Sequence, residues 1–196
     1  MLPARTEALA LVHEWTQSPS LRAHMLAVEA AMRAYATRQG EDVERWGLTG
    51  LLHDFDYERF PNAEQRADVE HPSEGVKHLR KLGFPDDICQ AILGHARYTG
   101  VPRVTPMART LFAVDELCGL VTATALVRPS RSVRDVDVRS VQKKFKDKAF
   151  ARGVSREDIT DGVAELGVPL DEHIGIVIGA LQRVAGDLGL AGATAP

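Results

Sequence analysis

Apolar side chains recur along this chain at alternating intervals of three and four residues, the period of helices that bury one face. Between Leu21 and Tyr35 the stripe reads Leu21, Met25, Val28, Met32, Tyr35. Gly40 follows, a residue suited to the left-handed end of a helix. The pattern predicts a first helix over about Arg5 to Trp15, ended by the Ser18-Pro19-Ser20 break, and a second over about Leu21 to Arg38. A third runs from Asp42 to Leu52, and the polar segment Phe55 to Glu70, with Pro61 inside it, reads as an irregular connection. Pro72 suits the first turn of a further helix that Gly83 ends. Pro85 opens the next one, and after a Gly/Pro loop from Tyr98 to Pro106 the pair Thr105-Pro106 caps and starts a long helix. Ser155 to Asp158 has the form of a capping box, with Asp at its third position after Ser. The last helix, from Pro169 to about Leu188, carries Ile174, Val177, Ile178, Leu181 and Val184 on one face. Val133, Val136 and Val138 read as a loop entering a helix, and Ala191 to Pro196 as a frayed end. There is neither an internal repeat nor a domain linker, so the expectation is one all-α domain, a helical bundle.

A few polar groups interrupt these stripes. Ile88, Ala91, Ile92 and His95 fall at i, i+3, i+4 and i+7, so His95 projects from an apolar face. Leu111, Val114, Asp115 and Cys118 repeat that spacing, and His24 lies one step from its stripe, beside Ala27, Val28 and Ala31. A carboxylate among core positions is costly unless it is paired, protonated or bound to a metal. The apolar run Leu51-Leu52 ends in His53-Asp54. Such an adjacent imidazole and carboxylate can chelate one cation, and the second carboxylate oxygen can reach another. In chain order His24, His53, Asp54, His71, His95 and Asp115 read H…HD…H…H…D. Neutral imidazoles mixed with carboxylates suit first-row divalent ions, and water bound to such an ion can act as hydroxide at neutral pH. His13, His78 and His173 fit no place in that order and are expected on partly solvated helix faces.

Bulk properties narrow the function. A chain of 196 residues is long enough for one domain with a sizeable core. Its net charge of −3 argues against general nucleic-acid binding through phosphate contacts. No apolar stretch is long enough for a membrane span and no signal peptide is read, so the expected location is cytoplasmic. Cys89 and Cys118 each sit within helical periodicity and are expected as reduced core thiols.

His24, the His53-Asp54 pair after an apolar helix, and Asp115 within Phe112-Ala113-Val114-Asp115-Glu116-Leu117 together resemble the HD superfamily of metal-dependent phosphohydrolases. His71-Pro72-Ser73-Glu74-Gly75 and Ile92-Leu93-Gly94-His95-Ala96 look like the two extra histidines of its binuclear branch. The resemblance covers about residues 20–125, with a helical extension over about 137–190, and it implies one HD-type domain over 1–196. It also implies that His24, His53, Asp54 and Asp115 hold one divalent ion and that Asp54, His71 and His95 hold a second, with Asp54 as bridge and catalytic residue. The ions stand open among Fe, Mn, Mg, Co and Zn. The expected substrate is a small phosphate ester or nucleotide, attacked by metal-activated hydroxide.

Phosphate charge also needs neutralising, and the densest basic run is Lys143 to Arg152. Lys143, Lys144 and Lys146 are candidate phosphate contacts, with Lys144 the candidate catalytic cation; a solvated face is the competing reading. Arg97 and Tyr98 follow His95 directly and are expected to line the pocket. Asp56 and Glu58, just after the His-Asp pair, can orient a ligand or cap a turn. Two other functions fit the same residues: a di-iron oxygenase resembling myo-inositol oxygenase in its centre, and a non-catalytic nucleotide sensor.

Overall fold

The computed structural model describes residues 2–192. Among them the chain forms α-helices and short 3-10 turns, and no strand. The helices are α1 (Arg5–Trp15), α2 (Pro19–Gln39), α3 (Val43–Leu52), α4 (Ser73–Lys81), α5 (Asp86–His95), α6 (Pro106–Leu126), α7 (Val138–Lys146), α8 (Arg156–Leu166) and α9 (Leu170–Arg183). The two longest, α2 and α6, pack on each other; α3 and α9 lie against α2, and α5 and α8 against α6.

The helix limits follow from local chemistry. Pro19 takes the first position of α2, with the Ser18 hydroxyl accepting the Leu21 N–H at 3.3 Å, so the predicted break is a helix start. Gly40 ends α2 at φ 71. Asp42 caps α3 by accepting the Arg45 N–H at 3.0 Å, and Thr105 caps α6 by accepting the Ala108 N–H at 3.1 Å. Ser155 caps α8 in the same way, through the Asp158 N–H. The reciprocal half of the predicted capping box is absent because the Asp158 carboxylate bonds Arg97 instead. The valine-rich stretch is a 3-10 turn, Val133–Asp135, leading into α7. The last helix ends at Arg183, earlier than predicted. Ala191 is not frayed but bridges Ser132; residues 193–196 of that predicted end lie outside the described residues.

The predicted stripes form the core. Met25, Val28, Met32 and Tyr35 of α2 and Leu111, Val114 and Leu117 of α6 are buried. Each such side chain contributes roughly 1.5–3 kcal/mol through its removal from water. Packing is close where α3 crosses α2. A Cβ on Gly50 would stand 2.9 Å from both Met32 Cγ and the Val28 carbonyl oxygen, so only glycine lets the helices approach this far. That approach brings the end of α3, with His53 and Asp54, against His24 of α2. His173 corrects the sequence expectation. It is buried between α2 and α6, with one ring nitrogen 2.6 Å from the Tyr35 hydroxyl and the other donating to the Ala113 carbonyl at 2.9 Å. Its place on α9 facing α2 removes it from solvent. His13 is exposed, while His78 is half-buried against the Trp15 ring. Cys89 and Cys118 are free thiols in the core.

Candidate metal centre

Six side chains from five parts of the fold meet beside a cavity of about 550 Å³, which all of them but the fully buried His53 line. His24 comes from the middle of α2, His53 caps the end of α3 and Asp54 follows it, His71 stands just before α4, His95 is the last residue of α5, and Asp115 lies midway along α6. They form two groups, His24 with His53 and Asp115, and Asp54 with His71 and His95; within each, one donor atom per residue lies within 4.8 Å of the others.

The two oxygens of Asp54 face different partners. Oδ1 lies 3.2 Å from His71 Nε2 and 3.5 Å from His95 Nε2. Oδ2 lies 3.5 Å from His53 Nε2 and 3.8 Å from His24 Nε2. Asp115 Oδ1 lies 2.9 Å from His24 Nε2 and 3.5 Å from His53 Nε2.

The other ring nitrogen of three histidines is already engaged. His53 Nδ1–H donates to the Gly50 carbonyl at 2.7 Å, and His95 Nδ1–H donates to the Ile92 carbonyl. His71 Nδ1–H donates to Asp56 Oδ1 at 2.7 Å. With Nδ1–H so engaged, each Nε2 points at the space between the carboxylates and offers its lone pair to a cation once any proton there is displaced. His53 Nε2 is fully buried and makes no hydrogen bond. Leaving a buried polar atom unmatched costs about 1–3 kcal/mol, a cost that a cation at that point would remove. Nitrogen and oxygen donors, fixed tautomers and an orphaned nitrogen aimed inward all fit a divalent metal.

Without a metal, the carboxylates favour the protonated imidazoles. Burial opposes a charge on His53, but the Asp54 and Asp115 carboxylates outweigh it and keep the imidazole well above its ordinary value. His71 is raised to about 9 in the same way, against burial, by Asp54 and Asp56. Asp54 is held well below the usual carboxylate range; burial works against this, and His53 and His71 prevail. Asp115 is lowered too, by His53 and His24 acting against burial. Glu116, the next residue, is pushed up to about 7 by burial and by the Asp115 charge.

Around the donors, the cavity wall includes Arg97 and Tyr98, where sequence reasoning put them. Arg97 is not free: it bonds Asp158 and Asp161 of α8 and lies 5.0 Å over the Phe112 ring. The Tyr98 hydroxyl donates to the His71 carbonyl, and burial pushes its pKa to about 12. The structure does not bring Lys143, Lys144 and Lys146 to the cavity. They sit on α7, where Lys144 Nζ lies 4.2 Å over the Phe150 ring, and of the basic run and the turn after it only Gly153 reaches the lining. α7 runs along α6 and α9, with Lys143 and Lys146 exposed and Lys144 half-buried away from the cavity lining.

Sequence reasoning missed Asn62, Gln65, Glu116 and Asp158 in the wall, and left Asp56 open between two uses. Asp56 is 1% exposed and orients His71 while its second oxygen accepts the Gly75 N–H at 2.6 Å. A Cβ on Gly75 would fall 2.6 Å from Asp56 Cγ, so the glycine in the His71-to-Gly75 motif was the available signal.

A family model described as HD domain matches residues 21–120 of the chain. No curated protein and no solved structure gives a match. The matched span carries all six donors, and the clustered His and Asp groups point to divalent metal binding. No helix among the described residues is long and apolar enough to cross a membrane.

Proposed function

The chain belongs to the HD domain family, and from that premise we propose that it is a hydrolase of small phosphate esters that works with two divalent ions. One observation carries the reading: the two oxygens of a single carboxylate, Asp54, face two separate donor groups. His24, His53, Asp54 and Asp115 hold one ion in this reading, and Asp54, His71 and His95 the other. When bound, the ions supply positive charge for the phosphoryl oxygens and an acidified water as nucleophile.

The protein's own residues do the rest. Asp54 fixes the spacing of the two groups. Gly50, Asp56 and Ile92 hold three imidazoles in the tautomer that leaves Nε2 free. Arg97, the one lysine or arginine in the described lining, is held by Asp158 and Asp161 and is the guanidinium that meets a phosphoryl oxygen in this reading, with Tyr98 in the wall beside it. Water adds to phosphorus, the ester P–O bond breaks, and the alcohol leaves with a proton. Charge neutralisation falls to metals and Arg97, since the α7 lysines stay outside.

The test is elemental analysis of gently purified protein, followed by a phosphoester panel with Mn, Fe, Mg, Co and Zn. Inorganic phosphate release by metal-loaded protein is the expected result. Oxygen uptake without phosphate release would move the protein to the di-iron oxygenase reading, and tight nucleotide binding without turnover to the sensor reading. The role given to Asp56 has its own check. Asp56→Asn keeps the shape but removes the charge behind His71, and metal affinity or activity is expected to fall about 10- to 100-fold. Unchanged metal content and rate in that variant would make Asp56 a turn cap and nothing more.

A further inference from the structure

The segment between α3 and α4 gives the cavity only uncharged side chains besides its metal donors: Tyr57, Asn62 and Gln65. The α6 and α8 contributions include the carboxylates Glu116 and Asp158, and the lining cation Arg97 is already bonded to Asp158 and Asp161. The neutral segment is tied down. The Glu70 carboxylate, 7% exposed, accepts the N–H of Arg66 at 2.7 Å and of Glu64 at 3.3 Å. Gln65, between them, has φ 56, a left-handed backbone that a side chain disfavours. The Ser73 hydroxyl donates to the Ala67 carbonyl at 2.5 Å, and the His71 N–H donates to the Phe60 carbonyl at 2.7 Å. A lining residue held in a disfavoured backbone by a buried carboxylate is the kind of strain that functional sites retain.

We propose that Asn62 and Gln65 are specificity-determining residues that hydrogen-bond the uncharged alcohol portion of a phosphate monoester, and that Glu70 is the positioning residue that holds Gln65. The inference rests on the phosphohydrolase reading above. Each amide offers donors and an acceptor, which suits hydroxyl-rich or heterocyclic alcohols. Tyr57, 37% exposed, adds a ring edge or face beside them. A diphosphate is disfavoured, because its second phosphoryl group would stand where the uncharged alcohol meets Asn62 and Gln65, and that segment brings no cation to the cavity.

Gln65→Gly is a clean test, since glycine adopts φ 56 without penalty and the variant keeps its fold. Affinities of metal-loaded parent, Gln65→Gly and Asn62→Ala would be measured for inorganic phosphate, glycerol phosphate, uridine monophosphate and uridine diphosphate, as KM where the ester turns over and calorimetrically where it does not. Each variant is expected to weaken both monoesters about three- to tenfold, the worth of one or two amide hydrogen bonds, and to leave inorganic phosphate within about twofold. The parent is expected to prefer uridine monophosphate to the diphosphate. Glu70→Gln should raise KM for the monoesters at constant kcat, where a purely structural role would lower kcat for every ester. Equal losses for phosphate and monoesters, no loss in either variant, or a diphosphate that binds as tightly as the monophosphate would overturn the proposal. Amide-dependent monoester binding without any phosphate release would instead overturn the hydrolase reading and leave this wall as a recognition surface.

Discussion

An Asp54→Ala protein is expected to lose both bound ions and to retain less than about one-hundredth of the parent's ester hydrolysis. No other single donor has that reach. Asp54 Oδ1 is the oxygen nearest His71 and His95, and Oδ2 is the oxygen facing His53 and His24. Removing the side chain therefore takes one donor from each group at once. Four other donor variants should divide. His71→Ala or His95→Ala is expected to empty the second site and leave about one ion per chain, while His24→Ala or Asp115→Asn chiefly disturbs the first. Metal content per chain, beside phosphate release and a circular dichroism check of fold, separates these outcomes. One tightly held ion in Asp54→Ala would end the bridging role. Full activity in His71→Ala and His95→Ala would reduce the centre to a single ion on His24, His53, Asp54 and Asp115.

The donors were legible in the sequence for a physical reason. His95 and Asp115 sit on apolar helical stripes, and His53-Asp54 closes an apolar helix, so each is a polar group where the pattern demands an apolar one. Stripes likewise placed the helices, because burial of one face sets both their period and their neighbours. What stayed hidden depends on distance in space. Glu116 reads as an ordinary helix residue until α8 packs on α6 and its carboxylate accepts the Ser155 N–H at 3.0 Å. Gln65 lies in a polar stretch without periodicity, and only the buried Glu70 carboxylate shows that its backbone is fixed. His173 looked solvated because its partners, Tyr35 and Ala113, are far away in sequence. The basic run misled for the opposite reason: charge density along the chain says nothing about which way a helix faces.

Metal uptake is expected to release protons and to strengthen steeply with pH. Without a metal, burial is outweighed by Asp54 and Asp56, which raise His71 to about 9 from an ordinary 6.5, and by Asp54 and Asp115, which raise His53 in the same direction; this favours a proton on both imidazoles. A metal needs the lone pairs those protons occupy. Each displaced proton makes the apparent affinity rise about tenfold per pH unit, so two give about a hundredfold, with the slope easing as pH passes the His71 value. The stability of the metal-free protein should move the other way. Raised imidazoles contribute stability that is complete below their unfolded value and fades as pH rises through the folded one. The depressed Asp54 and Asp115 contribute above the ordinary carboxylate value of 3.8, and lose their contribution as pH falls toward their folded values. Chelator-stripped protein is therefore expected to melt lower as pH climbs from about 6.5 toward 9, while metal-loaded protein gains over the same interval. Calorimetric titration of Mn or Zn in buffers of different ionisation enthalpy counts the protons directly. A binding enthalpy that ignores the buffer, together with an affinity flat across that interval, would mean that the imidazoles are already neutral and that the carboxylates hold them by hydrogen bonds alone.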